Sequence, residues 1–430
     1  MPDARHRAGD TLLPRFHIHT LGCKVNQAES ETMAAALLAA GWEKARGIAD
    51  CDVAILNTCT VTGEADAKNR KAIRMLLRAN DTAPIIVTGC AINIDANRYG
   101  DMDARVRCAT DKDEVPTLAS HLVHGKSSPD ADELTQVALR ARGDGTFRTR
   151  VDLKIQDGCD NACSYCIVHV ARGPARSVPA RKILEQARVL ANAGTRELVL
   201  VGIDMAAYKD DDTDLAQLAD MLLGQTKIGR LRISSVEPQS VTPSLIDALG
   251  HSDGRLCRHL HLCLQSGSSK VLHEMNRHYD AAAFAKLVAR LHDAAPQLAL
   301  STDVIVGFPG ETDEDFEESY RLIEHCGFMR LHVFRYSKRP GTPAAERTDQ
   351  VDPQVKAQRS QTLMELGRRL ALEDMERRLG SFEQVIVERP GLGTSESYHT
   401  VVCNAALPIG ELVTVEFADI DTENMRLIAR

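Results

Sequence analysis

The segment QDGCDNACSYC, residues 156–166, carries Cys159, Cys163 and Cys166 at C-x3-C-x2-C spacing. A closed structural metal site uses four protein ligands. Three thiols in one short loop therefore leave a coordination position to be filled from elsewhere or kept open. Zinc would need a distant fourth ligand, and His169 or Cys263 could supply it. A [4Fe–4S] cluster on three thiolates keeps one iron free to bind a small molecule. Cluster iron also passes single electrons, which zinc does not.

A second set of three cysteines is dispersed. HTLGCKVNQAES, AILNTCTVT and IIVTGCAIN place Cys23, Cys59 and Cys90 directly after short runs of strand character. Loops that follow neighbouring strands of a parallel sheet share one edge, so these thiols can converge despite their separation in the chain. Here too there are three ligands rather than four. Asn26 and Asn57 stand in the same loops and can steady them through side-chain hydrogen bonds. Cys51 and Cys108 lack the strand-end position and read as small buried apolar residues.

Other strand ends carry polar and glycine positions. DVIVGFPGETDED sets Gly307, Gly310 and Glu311 just after a strand, with Thr312 and Asp315 spaced as a capping box for the next helix. Glycines there let the backbone approach a ligand closely. LVLVGID brings Gly202 and Asp204 to a strand end, and LHLCLQSGS does the same for Gln265 and Ser266.

The elements that must hold these groups follow from the hydrophobic pattern. Within residues 1–125, strands over 16–20, 53–57 and 85–88 alternate with helices over 28–40 and 64–79. That alternation implies a parallel sheet with helices on its faces. Residues 126–147, containing KSSPDADE and RGDG, read as a linker. Over 148–380 the alternation resumes, with strands at 151–155, 198–203, 231–236, 260–264, 302–306 and 330–335 and helices such as 180–193 and 312–326. Six β/α units predict an α/β partial (β/α)6 barrel whose functional groups lie beyond the carboxyl ends of the strands. Asp352-Pro353 starts a long helix that stops at Gly380. FEQVIVE, YHTVVC, ELVTVEF and NMRLIA, all within 381–430, predict a small β-barrel of OB-like type.

Composition narrows the class. The chain has 430 residues, 43% hydrophobic, enough for two or three cored domains. A formal net charge of −8 argues against bulk electrostatic capture of nucleic acid but not against local basic patches. No apolar run reaches membrane-spanning length and the first residues lack a signal-peptide core, so the expectation is a cytoplasmic protein without membrane association. Cytosolic thiols stay reduced, so the 12 cysteines are expected to serve metal binding or catalysis rather than disulfides.

With C-x3-C-x2-C after its first barrel strand, the chain resembles the radical S-adenosylmethionine (SAM) superfamily. With the second triad added, it resembles the radical-SAM methylthiotransferases over nearly its whole length. TLGCKVNQ and LHVFRYSKRPGTPA look most like the branch acting on threonylcarbamoyladenosine in tRNA. The Tyr-Gly-Cys-Gln-Met-Asn-like motif of the isopentenyladenosine branch and the Gly-Cys-Pro-Lys-Asn motif of the ribosomal-protein branch are both absent. The resemblance implies an N-terminal flavodoxin-like domain, a radical-SAM domain and a C-terminal TRAM domain. It implies two [4Fe–4S] clusters, on Cys159, Cys163 and Cys166 and on Cys23, Cys59 and Cys90. SAM would sit at the open iron of the first, contacted by Gly202, Asp204, Gln265, Ser266, Gly307 and Gly310. A deoxyadenosyl radical would take hydrogen from C2 of the adenine at tRNA position 37, and the second cluster would present a methylated sulfur to that carbon. A reduced flavodoxin or ferredoxin would supply electrons. Three positions depart from the family pattern: His169 and Cys263 stand where proline is usual, and GIDMAAYKDD lacks the glycine common after the tyrosine.

An acidic protein needs local cations to hold tRNA. KNRKAIRMLLR sets Lys71, Arg74 and Arg78 on one helix face. RGPARS adds Arg172 and Arg176, and Arg335, Lys338 and Arg339 follow another strand. Together these groups suggest a phosphate track. Two other assignments stay open within the family, isopentenyladenosine tRNA and a ribosomal protein. From a different class comes a non-catalytic, zinc-bound RNA-binding protein, which would be colourless where cluster protein is brown.

Overall fold

The computed structural model describes residues 13–60, 63–125, 132–141, 146–251 and 254–430. The chain divides into two compact units, the first running to Leu139 and the second from Arg140.

The first unit contains strands β1 (Arg15–Thr20), β2 (Glu43–Lys44), β3 (Val53–Thr58), β4 (Ile85–Gly89) and β5 (Val106–Ala109). Its helices are α1 (Lys24–Ala39), α2 (Gly63–Ala79), α3 (Cys90–Ile94), α4 (Asn97–Gly100), α5 (Val115–His124) and α6 (Glu133–Leu139). The five strands form one parallel sheet in the order β2-β1-β3-β4-β5. Alternate side chains go to opposite faces. Phe16, Val53, Ile55 and Ile86 pack with Met33 and Leu37 of α1 and Val115 of α5. Ala54, Leu56, Ile85 and Val87 pack with Ile73 and Leu76 of α2. Burial of both faces explains why these strands read as continuous apolar runs. The order reverses direction between β1 and β3, which makes a crevice at their carboxyl ends. The segment read as a linker contains, in its described part, α6, which packs on α1; residues 126–131 and 142–145 lie outside the described residues.

The second unit begins with strands β6 (Val151–Lys154), β7 (Gln156–Asp157), β8 (Arg176–Ser177), β9 (Glu197–Val201), β10 (Arg230–Ile233), β11 (Ser235–Val236), β12 (His259–Leu262), β13 (Ala299–Val306) and β14 (Arg330–Arg335). Helices α7 (Val168–Arg172), α8 (Ala180–Asn192), α9 (Leu215–Gln225), α10 (Pro243–His251), α11 (Ser269–Glu274), α12 (Ala281–Ala294), α13 (Asp313–Cys326), α14 (Pro343–Glu346) and α15 (Pro353–Arg378) alternate with them. Two parallel sheets, β10-β9-β6 and β11-β12-β13-β14, make the partial barrel. The run expected as one strand over 231–236 is broken at Ser234, where the chain passes from one sheet to the other. The helix-facing rows are apolar, for example Leu198, Leu200, Leu231, Ile233, Leu260 and Leu262, all buried. The opposite, interior row is largely polar, with Glu197, Arg230, Arg232, His261 and Asp303 alongside Val199, Val201 and Ile305.

Five strands, β15 (Phe382–Arg389), β16 (Leu392–Ser395), β17 (Thr400–Val402), β18 (Leu412–Asp421) and β19 (Arg426–Ala429), close a barrel at the carboxyl end. Its core holds Val385, Val401, Phe417 and Leu427. β16, LGTS, was not among the expected runs, because its alternation is carried by small residues. This barrel is tied to the partial barrel by fully buried charges. Arg230 and Arg232 share Glu197, and their outer nitrogens reach the carbonyls of Gln384, Thr394, Ser395 and Glu396 at 2.6–2.9 Å. No helix among the described residues is long and apolar enough to cross a membrane.

Candidate active site

In the first unit Cys23 precedes α1, Cys59 follows β3 and Cys90 opens α3 directly after β4. Parallel pairing puts those three strand ends on one edge, and Asn26 joins them. Its Oδ1 lies 3.7 Å from Sγ of Cys23 and 4.0 Å from Sγ of Cys90. Its Nδ2 donates to the carbonyls of Leu21 at 3.0 Å and Thr58 at 2.7 Å, bracketing the β1 and β3 loops. Cys59 closes the group against Gly22, whose φ of +111° and bare Cα admit the thiol; a Cβ there would come within 3.1 Å of Sγ. Asn57 returns a bond to the Asn26 carbonyl at 2.9 Å. Two thiols on one buried amide and a third packed beside them against Gly22, with Cys23 exposed and Cys90 buried, form a donor set that fits a cluster reached from one side. Cys51 is buried in the core as expected, whereas Cys108 is only partly buried at the margin of that core.

In the second unit the three-cysteine loop leaves β7 and ends in α7. Each sulfur receives one N–H donor. Asn161 N–H donates to Cys159 and Val168 N–H to Cys166, both at 3.4 Å, and Arg277 Nη1 donates to Cys163 at 3.3 Å. Such bonds support thiolate ligands and tune a cluster bound to them. Burial pushes the thiols of Cys159 and Cys166 up to about 11, with the backbone donors working against it. A metal centre's own charge reverses that preference, because a coordinating thiol is deprotonated. The loop is clamped from outside: Ser164 N–H and Oγ bond the carbonyls of Met275 and Glu274, and Asn276 bonds the Ala162 carbonyl. These contacts come from residues far along the chain.

Asp204 is buried beside the loop, accepting from Asn161 Nδ2 at 2.7 Å and lying 3.8 Å from Cys159 Sγ. Gln156 positions it: Oε1 accepts from Ile203 and Asp204 N–H, while Nε2 donates to the Asp157 and Gly158 carbonyls. Gly202 packs directly on Gln156, leaving no room for a side chain. Gln265 takes φ +69° at the end of β12 and bridges to Val304. Ser266 turns its hydroxyl into the protein, toward Ser319 and the Ser268 N–H, which gives it a role in holding that turn. Gly307 and Gly310 both have positive φ, and their Cα atoms face Lys356 and the Arg347–Asp349 pair respectively. Glu311 is bound by Arg359 at 2.6 Å and accepts the Gly307 N–H. The Thr312–Asp315 capping box is present.

Sequence reasoning passed over Arg277, Glu237 and Gln156. Arg277 is ion-paired with Glu237 and lies over the Tyr279 ring. Its spacing from the cysteine loop carries no local signal. Gln156 could have been found, since it stands directly before the Asp-Gly step of the loop.

The basic groups divide. Lys71, Arg74 and Arg78 are exposed on α2, and Arg176, Arg335 and Lys338 are exposed in the second unit. Arg172 and Arg339 are corrections to the expected surface track. Arg172 is buried with its guanidinium 2.9 Å from Asp157, and Arg339 is 5% exposed. Salt-bridge demand inside the domain consumed the first, and packing covered the second.

Comparison with known proteins places these features. The Radical SAM superfamily matches residues 153–323, and the uncharacterized protein family UPF0004 matches residues 15–109. The chain is 39% identical over 365 residues to a threonylcarbamoyladenosine tRNA methylthiotransferase of Bacillus subtilis, covering 83% of this chain and 80% of that one. The similarity to the protein of that name from Thermotoga maritima is 35% over 378 residues, 86% of each chain. A tRNA-2-methylthio-N(6)-dimethylallyladenosine synthase of Novosphingobium aromaticivorans is 33% identical over 422 residues, covering 94% and 95%. Among solved structures, the fold is similar to a radical S-adenosylmethionine methyltransferase from Kitasatospora setae, with TM-score 0.55, 14% identity and coverage of 78% and 77%.

Proposed function

The chain belongs to the radical-SAM tRNA methylthiotransferases, and from that premise we propose that it converts threonylcarbamoyladenosine at position 37 of tRNA to its 2-methylthio derivative. The observation that carries the substrate is the 39% identity to a relative of that name over most of both chains. The dimethylallyladenosine reading has support from a relative matched over 94% of this chain, at the lower identity of 33%.

Residues 1–125, 148–380 and 381–430 are assigned as methylthiotransferase, radical-SAM and TRAM-like domains. Cys159, Cys163 and Cys166 would hold one [4Fe–4S] cluster with SAM, and Cys23, Cys59 and Cys90 the other. When bound, these groups supply one-electron cleavage of SAM and a methylated sulfur for C2 of adenine. The chain's own residues set the conditions. Arg277, Asn161 and Val168 hold the three sulfurs of the barrel loop in place by N–H donation. Gln156 and Asn161 fix Asp204 beside Cys159, where its carboxylate would receive the amino group of SAM. Asn26 holds the thiols of Cys23 and Cys90 together, and Cys59 packs beside them against Gly22. Lys71, Arg74, Arg78, Arg176, Arg335 and Lys338 are exposed and would add positive charge toward tRNA phosphates. A flavodoxin or ferredoxin is the inferred electron donor, and the cytoplasm the inferred compartment.

Mass spectrometry of tRNA nucleosides from cells lacking this chain tests the assignment. Loss of the 2-methylthio form with retention of threonylcarbamoyladenosine is expected. Loss of the 2-methylthio form of dimethylallyladenosine instead would move the enzyme to the other substrate.

A further inference from the structure

The interior of the partial barrel carries polar groups that cysteine ligation does not use, ordered along one strand. β14 is the edge of its sheet. One face of it presents Phe334, His332 and Arg330, descending from the carboxyl end in steps of about 6.6 Å. Their register partners on β13 are Ile305, Asp303 and Ser301. Ile305 packs against the apolar cluster that also receives Tyr165 of the three-cysteine loop. The row therefore faces the interior, with Phe334 at the level nearest that loop.

Each step has a different chemistry. Phe334 is 40% exposed, an aromatic face at the mouth. Below it the His332 ring lies 5.6 Å from that of His261, tilted by 51°, and His261 Nε2 is 3.4 Å from Asp303, a group offering both donors and acceptors. His261 is held in that orientation by Ser301 Oγ, 3.0 Å from Nδ1. Lowest is Arg330, half-buried, its Cζ 5.4 Å over the Tyr398 ring. Its neighbours there have carboxylate partners: Arg150 has Glu388, and Arg230 and Arg232 have Glu197. Among the described residues no carboxylate pairs with Arg330. A partly desolvated guanidinium without a counter-ion, at the end of a polar row, is a receptor for an anion.

Resting on the threonylcarbamoyladenosine assignment, we propose that this row is the subsite that reads the modified base. Adenine stacks on Phe334, the threonine carboxylate reaches Arg330, and the ureido and hydroxyl groups meet His261, Asp303 and His332. The chemistry of the base permits this direction: C2 and C6 are the two carbons flanking N1 and their substituents diverge, so a base with C2 turned toward the cysteine loop can run its N6 chain along the interior. An apolar dimethylallyl group offers Arg330 no countercharge, and sites with an uncompensated buried charge reject ligands that cannot satisfy it.

The test uses the reconstituted full chain and labelled anticodon stem-loops carrying threonylcarbamoyladenosine or its methyl ester, with affinity read by anisotropy. The free acid should bind roughly 10- to 100-fold tighter than the ester, the range of a charge-assisted bond. Arg330→Gln should erase that preference while leaving ester affinity and the cluster absorbance as in the unaltered protein. A preserved preference in Arg330→Gln overturns the proposal. So does equal affinity of the unaltered protein for acid and ester, a result that needs no variant. If the acid and ester bind alike yet the threonylcarbamoyl stem-loop is methylthiolated, the substrate assignment survives and only the subsite falls. If the dimethylallyl stem-loop is the one methylthiolated, both fall.

Discussion

Glu197→Gln removes the carboxylate that Arg230 and Arg232 share inside the second unit. All three side chains are 0% exposed, and the two Nε atoms lie 2.7 and 2.8 Å from its oxygens. Glutamine keeps the volume but leaves two buried cations without countercharge. Breaking a buried pair in this way costs roughly 3–5 kcal/mol. A second route to the magnitude agrees. Burial alone would raise this carboxyl, but Arg230, Arg232 and Arg150 outweigh it and hold the group at about 2, against 4.5. At 1.36 kcal/mol per unit, that is about 3 kcal/mol at neutral pH. Because the folded value is the depressed one, this stability is complete above the unfolded value and lost as pH falls toward 2. The assay is urea unfolding followed by far-UV circular dichroism. The single tryptophan, Trp42, reports the first unit, so its fluorescence serves as an internal control. The variant's dichroism transition should move to lower urea at neutral pH, while the Trp42 transition stays in place. The gap between variant and unaltered protein should narrow below about pH 4.5. Equal dichroism midpoints at neutral pH, or a gap that does not change on acidification, would refute the reasoning.

Two further predictions concern the cysteines. Reconstitution should give about eight irons per chain, and Cys59→Ala or Cys163→Ala about four; Cys163→Ala should abolish SAM cleavage, whereas Cys59→Ala should keep it and lose methylthiolation, scored as deoxyadenosine and modified nucleoside separately. Full methylthiolation by Cys59→Ala would contradict the role given to the dispersed triad. Gly22→Ala puts a Cβ 2.9 Å from Cys59 Cβ at a φ of +111°, a backbone strain of roughly 1–3 kcal/mol, and should lower iron at the dispersed triad while leaving SAM cleavage intact; a full iron complement in that variant would show that Cys59 can shift freely.

What was legible in the sequence was local or periodic. Cys159, Cys163 and Cys166 lie within one loop, so their spacing alone marks a metal site with three local thiols and a fourth position open or filled from elsewhere. Cys23, Cys59 and Cys90 were legible through their shared position after strands, because parallel pairing forces such ends onto one edge. Continuous apolar runs disclosed the sheet of the first unit, since burial on both faces leaves that mark, and the alternation of strand and helix patterns disclosed the partial barrel. The branch of the family was read from likeness in TLGCKVNQ and LHVFRYSKRPGT, and physical chemistry did not supply it.

The tertiary structure decided whatever depends on which face a residue occupies and which distant residue it meets. Arg172 and Arg176 look alike in RGPARS, yet Asp157 holds the first inside and the second is exposed. Arg277 donates to Cys163 across 114 positions of chain, a contact that no spacing rule anticipates. Glu197, Arg230 and Arg232 are buried only because the C-terminal barrel covers them and its carbonyls take up their donors. The polar interior row of β14 needed the register of β13 to be seen, because alternation tells which residues share a face but not which face is inside. Charge and periodicity are properties of the chain; enclosure is a property of the packed layers.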